Sequence, residues 1–346
     1  MNKCLLLFYV SLLIPSLSIK QDLSFGYDDN FMRFSPLEID SYHPENYTDN
    51  DYLGDAKTYD SAIISPSIQF TISNKIFDAY KTNLIFRTKY TEYTSSNNKS
   101  YISFLGRFEF KLASYSWIKL SYSLIPEYYL RTYIDRDVFP LEYYPCDFLN
   151  ETVSISYSHN VPINKTWMDY KLILNNQFYN ENFTEYDSQI LGFEGTIKSK
   201  LFLNYYISLT YLYYNSNNIS YHDSQIIEST KIDRSYIRNG FKINAKKYFS
   251  NFLISSMSFK LNFSQRLYDL DSWYYESDNW KIYNDYDLRL EISKKISNKI
   301  TAQITGRHFF RDVFSSQSDE VVWVEDYKNH HRNEVWLRFT YTIPVY

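Results

Sequence analysis

Between Ile102 and Leu112, apolar and polar residues alternate almost without a break. Ile102, Phe104, Phe108, Phe110 and Leu112 share one parity, and Ser103, Arg107, Glu109 and Lys111 the other. Successive side chains of a β-strand point to opposite faces, so this segment reads as a strand with an apolar side and a charged side. A helical face would need apolar spacings of three and four, and none recurs here. The same alternation returns around Leu120 to Leu130, Met168 to Phe178, Tyr286 to Ile292 and Val335 to Ile343.

Carried along the chain, this pattern predicts strands near 22–33, 61–72, 79–93, 100–112, 116–132, 150–159, 166–179, 188–198, 202–214, 232–246, 252–268, 280–294, 299–312 and 333–345. Many are about twice the five to six residues usual in soluble strands, and a tilted strand needs about 9 to 11 residues to cross a bilayer. The joints between them mostly alternate in length, with Thr94 to Lys99 and Asn180 to Asp187 shorter than the other joints on their side. Ser73 to Asp78, Ala113 to Tyr115 and Lys295 to Asn298 are short, whereas Phe34 to Asp60, Tyr133 to Leu149, Asn215 to Lys231 and Val313 to Arg332 are long. Long joints on one side and short ones on the other are the mark of an up-and-down membrane barrel.

Composition and the N-terminus agree with this. The 346 residues include 37 Tyr and 25 Phe but only 7 Gly, too aromatic for a disordered chain and too poor in Gly for an ordinary α/β enzyme. The formal net charge of −4 offers no nucleic-acid footprint. Lys3, the apolar stretch from Leu5 to Ile14 and the small-x-small Ser16-Leu17-Ser18 read as an export leader. Residues 1–18 are therefore expected to be cleaved, leaving 19–346 as one barrel domain. Tyrosine's amphipathic ring suits the lipid–water interface, where the abundant Tyr are expected.

The alternation, the joint lengths, the leader and the aromatic final strand from Trp336 to Tyr346 resemble bacterial outer-membrane β-barrels, in particular monomeric porins of about fourteen strands. The resemblance implies an all-β, antiparallel transmembrane barrel with short periplasmic turns and long external loops. It also implies contact with outer-membrane lipid and lipopolysaccharide, recognition by the barrel-insertion machinery through the last strand, and traffic of small solutes. It implies no cofactor and no enzymatic step.

If the apolar parity faces lipid, the other faces the lumen, and its charges are predominantly basic: Arg87, Lys89, Arg107, Lys111, Lys119, Arg131, Lys171, Arg238, Lys242, Lys260, Arg266, Arg289, Arg307, Arg311 and Arg338. Against these stand fewer acids, among them Glu109, Glu127, Asp285, Asp287 and Glu291. A basic lumen raises the local concentration of anions, so the expected function is a passive channel for small hydrophilic, preferentially anionic solutes. The long first joint is acidic, and Glu38, Asp40, Glu45 and Asp49 are expected to fold toward the basic wall and constrict the mouth, the competing outcome being a loop that stands free in solvent, since it contains Pro36, Pro44 and Gly54 and little apolar content. The competing expectation is a structural or adhesive barrel with a blocked lumen and partner-binding loops.

Chemical motifs are sparse. His330-His331 with Asp326 lacks the i, i+2 spacing that aims two ligands from one strand. Tyr221-His222-Asp223-Ser224 has the letters of a hydrolytic triad in adjacent positions, which cannot supply its spatial relay. Cys146 reads as an unpaired thiol in an external loop, and His308 as a lipid-face residue beside Phe310.

Overall fold

The computed structural model describes residues 16–41, 51–76, 80–135, 137, 142–163, 165–202, 204–221, 233–250, 253–269, 280–315 and 328–345. Its first strands are β1 (Ser16–Asp28), β2 (Ser61–Ile76), β3 (Tyr80–Tyr93), β4 (Ser96–Ala113) and β5 (Ser116–Asp135). Then follow β6 (Glu142–Asn160), β7 (Thr166–Tyr179), β8 (Ser188–Lys200), β9 (Tyr205–Asn218) and β10 (Tyr236–Tyr248). The last four are β11 (Ser256–Asp269), β12 (Trp280–Lys295), β13 (Ile300–Ser315) and β14 (His330–Val345). Each pairs antiparallel with its chain neighbours, and β1 pairs with β14 from Leu17 opposite Val345 to Asp28 opposite Glu334. The result is a closed barrel of fourteen strands. Closure leaves no row of unpaired N–H and C=O groups, each of which would cost several kcal/mol in hydrocarbon.

The outer face is apolar on every side of the barrel. Phe25, Phe86, Leu120, Ile155, Leu172, Leu209, Phe259, Leu290, Ile304 and Leu337 are all exposed there, an arrangement suited to lipid. The tight joints after β4, β6 and β8 carry Tyr115, Lys165 and Asn204 in the left-handed region, at φ of 60, 52 and 70°. These turns reverse the chain within a few residues. Two prolines fall where the ladder is interrupted: Pro66 sits at a gap in the β2–β3 register, where Ser65 Oγ donates to Tyr90 O at 2.8 Å, and Pro126 sits in a β5 bulge.

Most expected strands lie within a few residues of the observed ones, and β7 coincides with its predicted span. Four details differ. The first strand begins at Ser16 instead of 22, because the alternation of Leu17, Ile19, Leu23, Phe25 and Tyr27 runs through the expected cleavage position, and it ends at Asp28. Residues 1–15 lie outside the described residues. The stretch from Tyr133 to Leu149 is largely strand, since β5 and β6 extend into a hairpin in which Pro145 pairs with Thr132. Cys146 is consequently a buried strand residue. His330 and His331 open β14 in place of a loop.

Candidate functional site

The first long joint turns inward. Asn30, almost fully buried, donates from Nδ2 to Phe34 O at 2.8 Å and to His331 O at 2.9 Å, and its Oδ1 accepts Phe34 N–H at 2.8 Å. One side chain thus closes a tight loop and fastens it to β14. Helix α1 (Pro36–Asp40) follows, begun by a reciprocal cap: Ser35 Oγ accepts Glu38 N–H at 3.2 Å, and Glu38 Oε2 accepts Ser35 N–H at 2.8 Å. Phe31, Met32, Phe34, Leu53 and Ala56 form a buried apolar cluster against Tyr129 of β5. This segment is a plug seated on the wall.

Polar contacts complete the seat. Arg131 donates to both oxygens of Glu38, at 2.7 and 3.1 Å, and its guanidinium lies over the rings of Tyr133 and Phe34. Asp55 accepts Ser96 Oγ at 2.6 Å and Asn98 N–H at 3.0 Å. Lys99, buried, donates to Tyr129 O and Leu130 O at 2.9 and 2.8 Å, where the bulge in β5 interrupts the ladder to β6. Gly54, at φ 62°, lies so close that a Cβ would strike Tyr129 and Thr132. Beside the plug's stem, burial disfavours the Asp60 carboxylate, but bonds donated by Thr58 and by Tyr27 (2.5 Å) outweigh it and hold its pKa below the usual range.

Next to the plug lies a chamber of about 770 Å³. Among the described residues its lining includes the cations Arg33, Arg131, Lys171, Arg234, Arg238, Arg266, Lys281, Arg311 and Lys328 but a single carboxylate, Glu194. Seven tyrosines share the wall: Tyr133, Tyr179, Tyr186, Tyr214, Tyr236, Tyr268 and Tyr283. Several cations lie over these rings, with Arg234 4.5 Å from the centre of Tyr186, Lys281 5.1 Å from Tyr268 and Arg311 5.1 Å from Tyr283. Near the rim, burial raises the pKa of Glu185, moderated by its own backbone hydrogen bond and by Arg234.

Below the chamber is a second cavity of about 200 Å³. Asp285 receives Arg311 Nε at 2.6 Å and Arg266 Nη2 at 2.8 Å, and Asp287 receives Arg307 at 2.9 Å and Arg289 at 2.7 Å. Glu334 joins Arg307 and Arg332, each at 2.6 Å. Toward the short joints, Lys260 pairs with Glu291 at 2.5 Å, Lys242 with Glu194 at 2.6 Å, Lys198 with Asp169 at 3.0 Å and Arg107 with Glu109 at 3.8 Å.

The predicted wall residues are thus distributed over strands from β3 to β14, and many are paired. Arg338 donates to Ser24 at 3.2 Å, Lys111 lies over Trp117, and Arg87 and Lys89 occupy the inward parity of β3 beside Gln69 and Ser67. Lys119 stands opposite Glu109. Glu127 differs: it lies in the Pro126–Glu127 bulge without a register partner, is exposed, and precedes Tyr128, whose ring meets Tyr101 and Phe148. The bulge shifts the parity there. Asp40 is exposed at the end of α1. Glu45, Asp49, Asp326, His222, Asp223, Ser224 and Tyr346 lie outside the described residues. His330 is buried while His331 is exposed, on opposite faces of one strand, so the two do not converge. His308 stacks beside Phe310.

Sequence reasoning missed Arg33, Arg234, Lys281, Lys328 and Arg332, which lie in joints or at strand ends, and it reserved tyrosine for the lipid interface although seven line the chamber. The open signal was that the wall parity continues into β10 and β12, as Tyr236 and Tyr283 share it with Arg238 and Asp285.

No protein-family model and no curated protein sequence matches the chain. Among solved structures it is similar to outer-membrane channels. The channel DcaP of Acinetobacter baumannii is 11% identical, with 94% of this chain and 97% of that chain covered and a TM-score of 0.46. An outer-membrane channel from Pseudomonas putida F1 is 10% identical, over 95% and 96% of the two chains, at 0.44. OpdQ of Pseudomonas aeruginosa is 9% identical, over 96% and 99%, at 0.39. The barrel assignment itself rests on this chain's own strand pairing.

Proposed function

We propose that the protein is a bacterial outer-membrane barrel acting as a passive channel for small hydrophilic solutes, with a preference for anions. One observation carries this reading: among the described residues, nine cationic side chains and one carboxylate line the 770 Å³ chamber beside the plug. In that reading residues 1–18 are an export leader, the apolar outer belt meets lipid and lipopolysaccharide, and β14 is the segment engaged by the barrel-insertion machinery. The plugged end faces outward and the short joints face the periplasm.

An anion entering beside the plug meets guanidinium and ammonium groups fixed over tyrosine rings, in a wall of low dielectric where their field is weakly screened. It then passes the level of Arg238, Arg266 and Arg311 toward Lys242, Lys260 and Arg289. Carboxylates alternate with the cations along this route, so the solute exchanges partners and is not trapped. Diffusion suffices, and no bond is made or broken.

A second reading is favoured by the plug itself. Phe31, Met32 and Phe34 are at most 1% exposed, and a plug so firmly seated suits a closed structural or adhesive barrel. Single-channel recording of the purified protein in planar bilayers separates the two. Conductance whose reversal potential in a KCl gradient reports chloride over potassium supports the channel. Silent insertion supports the closed barrel, and cation selectivity defeats the anion preference.

A further inference from the structure

The 200 Å³ cavity is walled by six arginines: Arg33, Arg238, Arg266, Arg307, Arg311 and Arg332. Arg266 and Arg311 share Asp285, Arg307 bonds Asp287 and Glu334, and Arg332 bonds Glu334 and Asp28. Four carboxylates, of which Asp287 also pairs with Arg289, thus offset at most four of the six guanidinium charges among the described residues. Arg33 and Arg238 line the cavity without an ion pair among the described residues. Arg238 Nε is also buried without a hydrogen-bond partner, as are Arg266 Nε and Arg332 Nε.

Arg33 reaches the cavity from the plug, not from the wall. It sits at φ 61°, a conformation an arginine adopts only at a cost, in the loop closed by Asn30. Arg33, Arg238, Arg266 and Arg311 line both the cavity and the larger chamber, so the two spaces meet at these side chains. A guanidinium presents a planar fork of N–H donors that matches an oxyanion better than a spherical ion. A surplus of at least two positive charges favours a dianion over a singly charged ion.

We infer that this cavity is a binding site for a compact dianionic oxyanion of the phosphate type, a free phosphate or a phosphate ester, and that the plug completes it by contributing Arg33. The inference rests on the anion-channel reading and deepens it: the plug is part of the selective site as well as an obstacle above it. Arg238 supplies the second unpaired fork, and the paired arginines contribute their remaining N–H donors.

The test is equilibrium dialysis of radiolabelled inorganic phosphate against the full protein in detergent, at constant ionic strength, with wild type, Arg238→Gln and Arg33→Gly. Glycine at position 33 removes the guanidinium and relieves the backbone, so that variant is expected to fold; heat-modifiable migration on gels checks both. Saturable binding near one phosphate per chain is expected, weakened about tenfold or more in each folded variant. Sulfate displaces the label, and chloride at equal ionic strength does not. Unsaturable binding, equal displacement by chloride, or unchanged affinity in both folded variants overturns the site. Phosphate binding without bilayer conductance overturns the channel reading and leaves the site standing. Anion-selective conductance without saturable phosphate binding does the reverse.

Discussion

The two oxygens of Glu38 are held by one guanidinium, that of Arg131, at 2.7 and 3.1 Å, while one of them also accepts the N–H of Ser35. The carboxylate therefore caps the helix that carries it and anchors that helix to the wall. Both side chains are largely buried, at 10 and 13% exposure, so the pair lies in the regime where losing one partner is costly.

Glu38→Gln keeps the shape and removes the charge. Loss of a charge-assisted bond of this kind costs about 2 kcal/mol, which is expected to speed amide exchange over residues 35–40 roughly thirtyfold while the barrel strands stay protected. Exchange followed by mass spectrometry gives the answer, and an unchanged rate would mean that the apolar cluster alone seats the plug.

Gly54→Ala strikes the same seat from the other side. A Cβ there meets Tyr129 and Thr132 on a backbone at φ 62°, so a penalty of about 1 to 3 kcal/mol is expected, read as faster exchange across the plug. Gly106→Ala, with open space around its Cβ position, serves as the silent control.

For the outer belt, Leu290→Arg is expected to destabilise the barrel by about 2 to 4 kcal/mol if the residue lies at the bilayer midplane. Gln303→Arg, whose side chain bonds Thr305 on the inward parity, is expected to be far better tolerated. Urea titrations of the barrel in lipid vesicles compare the two, and equal losses would place both on the same face.

Asp285→Asn removes the carboxylate shared by Arg266 and Arg311. In the channel reading the anion-to-cation permeability ratio rises, because two guanidiniums lose their counter-charge beside the solute's route. Reversal potentials in a salt gradient measure it. A ratio that does not move would show that solutes bypass this level of the lumen.

The barrel was legible because its signal is local and repeated. Thr166–Tyr179 alternates at most positions, Ile173 and Asn176 excepted, and was read at its true bounds, and the inward position of Arg238 follows from parity alone. Parity failed where a bulge inserted extra residues, at Pro126–Glu127, and the expected leader boundary hid the start of β1 at Ser16–Ser18. The plug was legible only in its charge. Phe31, Met32 and Phe34 have no period of their own, and their burial depends on Tyr129, far along the chain. Nor does an arginine advertise a left-handed backbone, so the part played by Arg33 emerges only in three dimensions.

The seam between β1 and β14 sets an order of assembly. Ser24 and Arg338 meet across it although 314 positions separate them. The plug's stem is tied to the same seam: Asn30 bonds His331 O, Asp29 N–H bonds Asn333 O, and the Asp29 carboxylate takes the backbone and side-chain N–H groups of Asn333 at 2.7 Å each. None of these bonds can form until the last strand has arrived. A growing, unsealed sheet therefore has a plug held on the β5 side alone and two raw edges at once, and the event that removes the edges also ties the plug's stem to the opposite side.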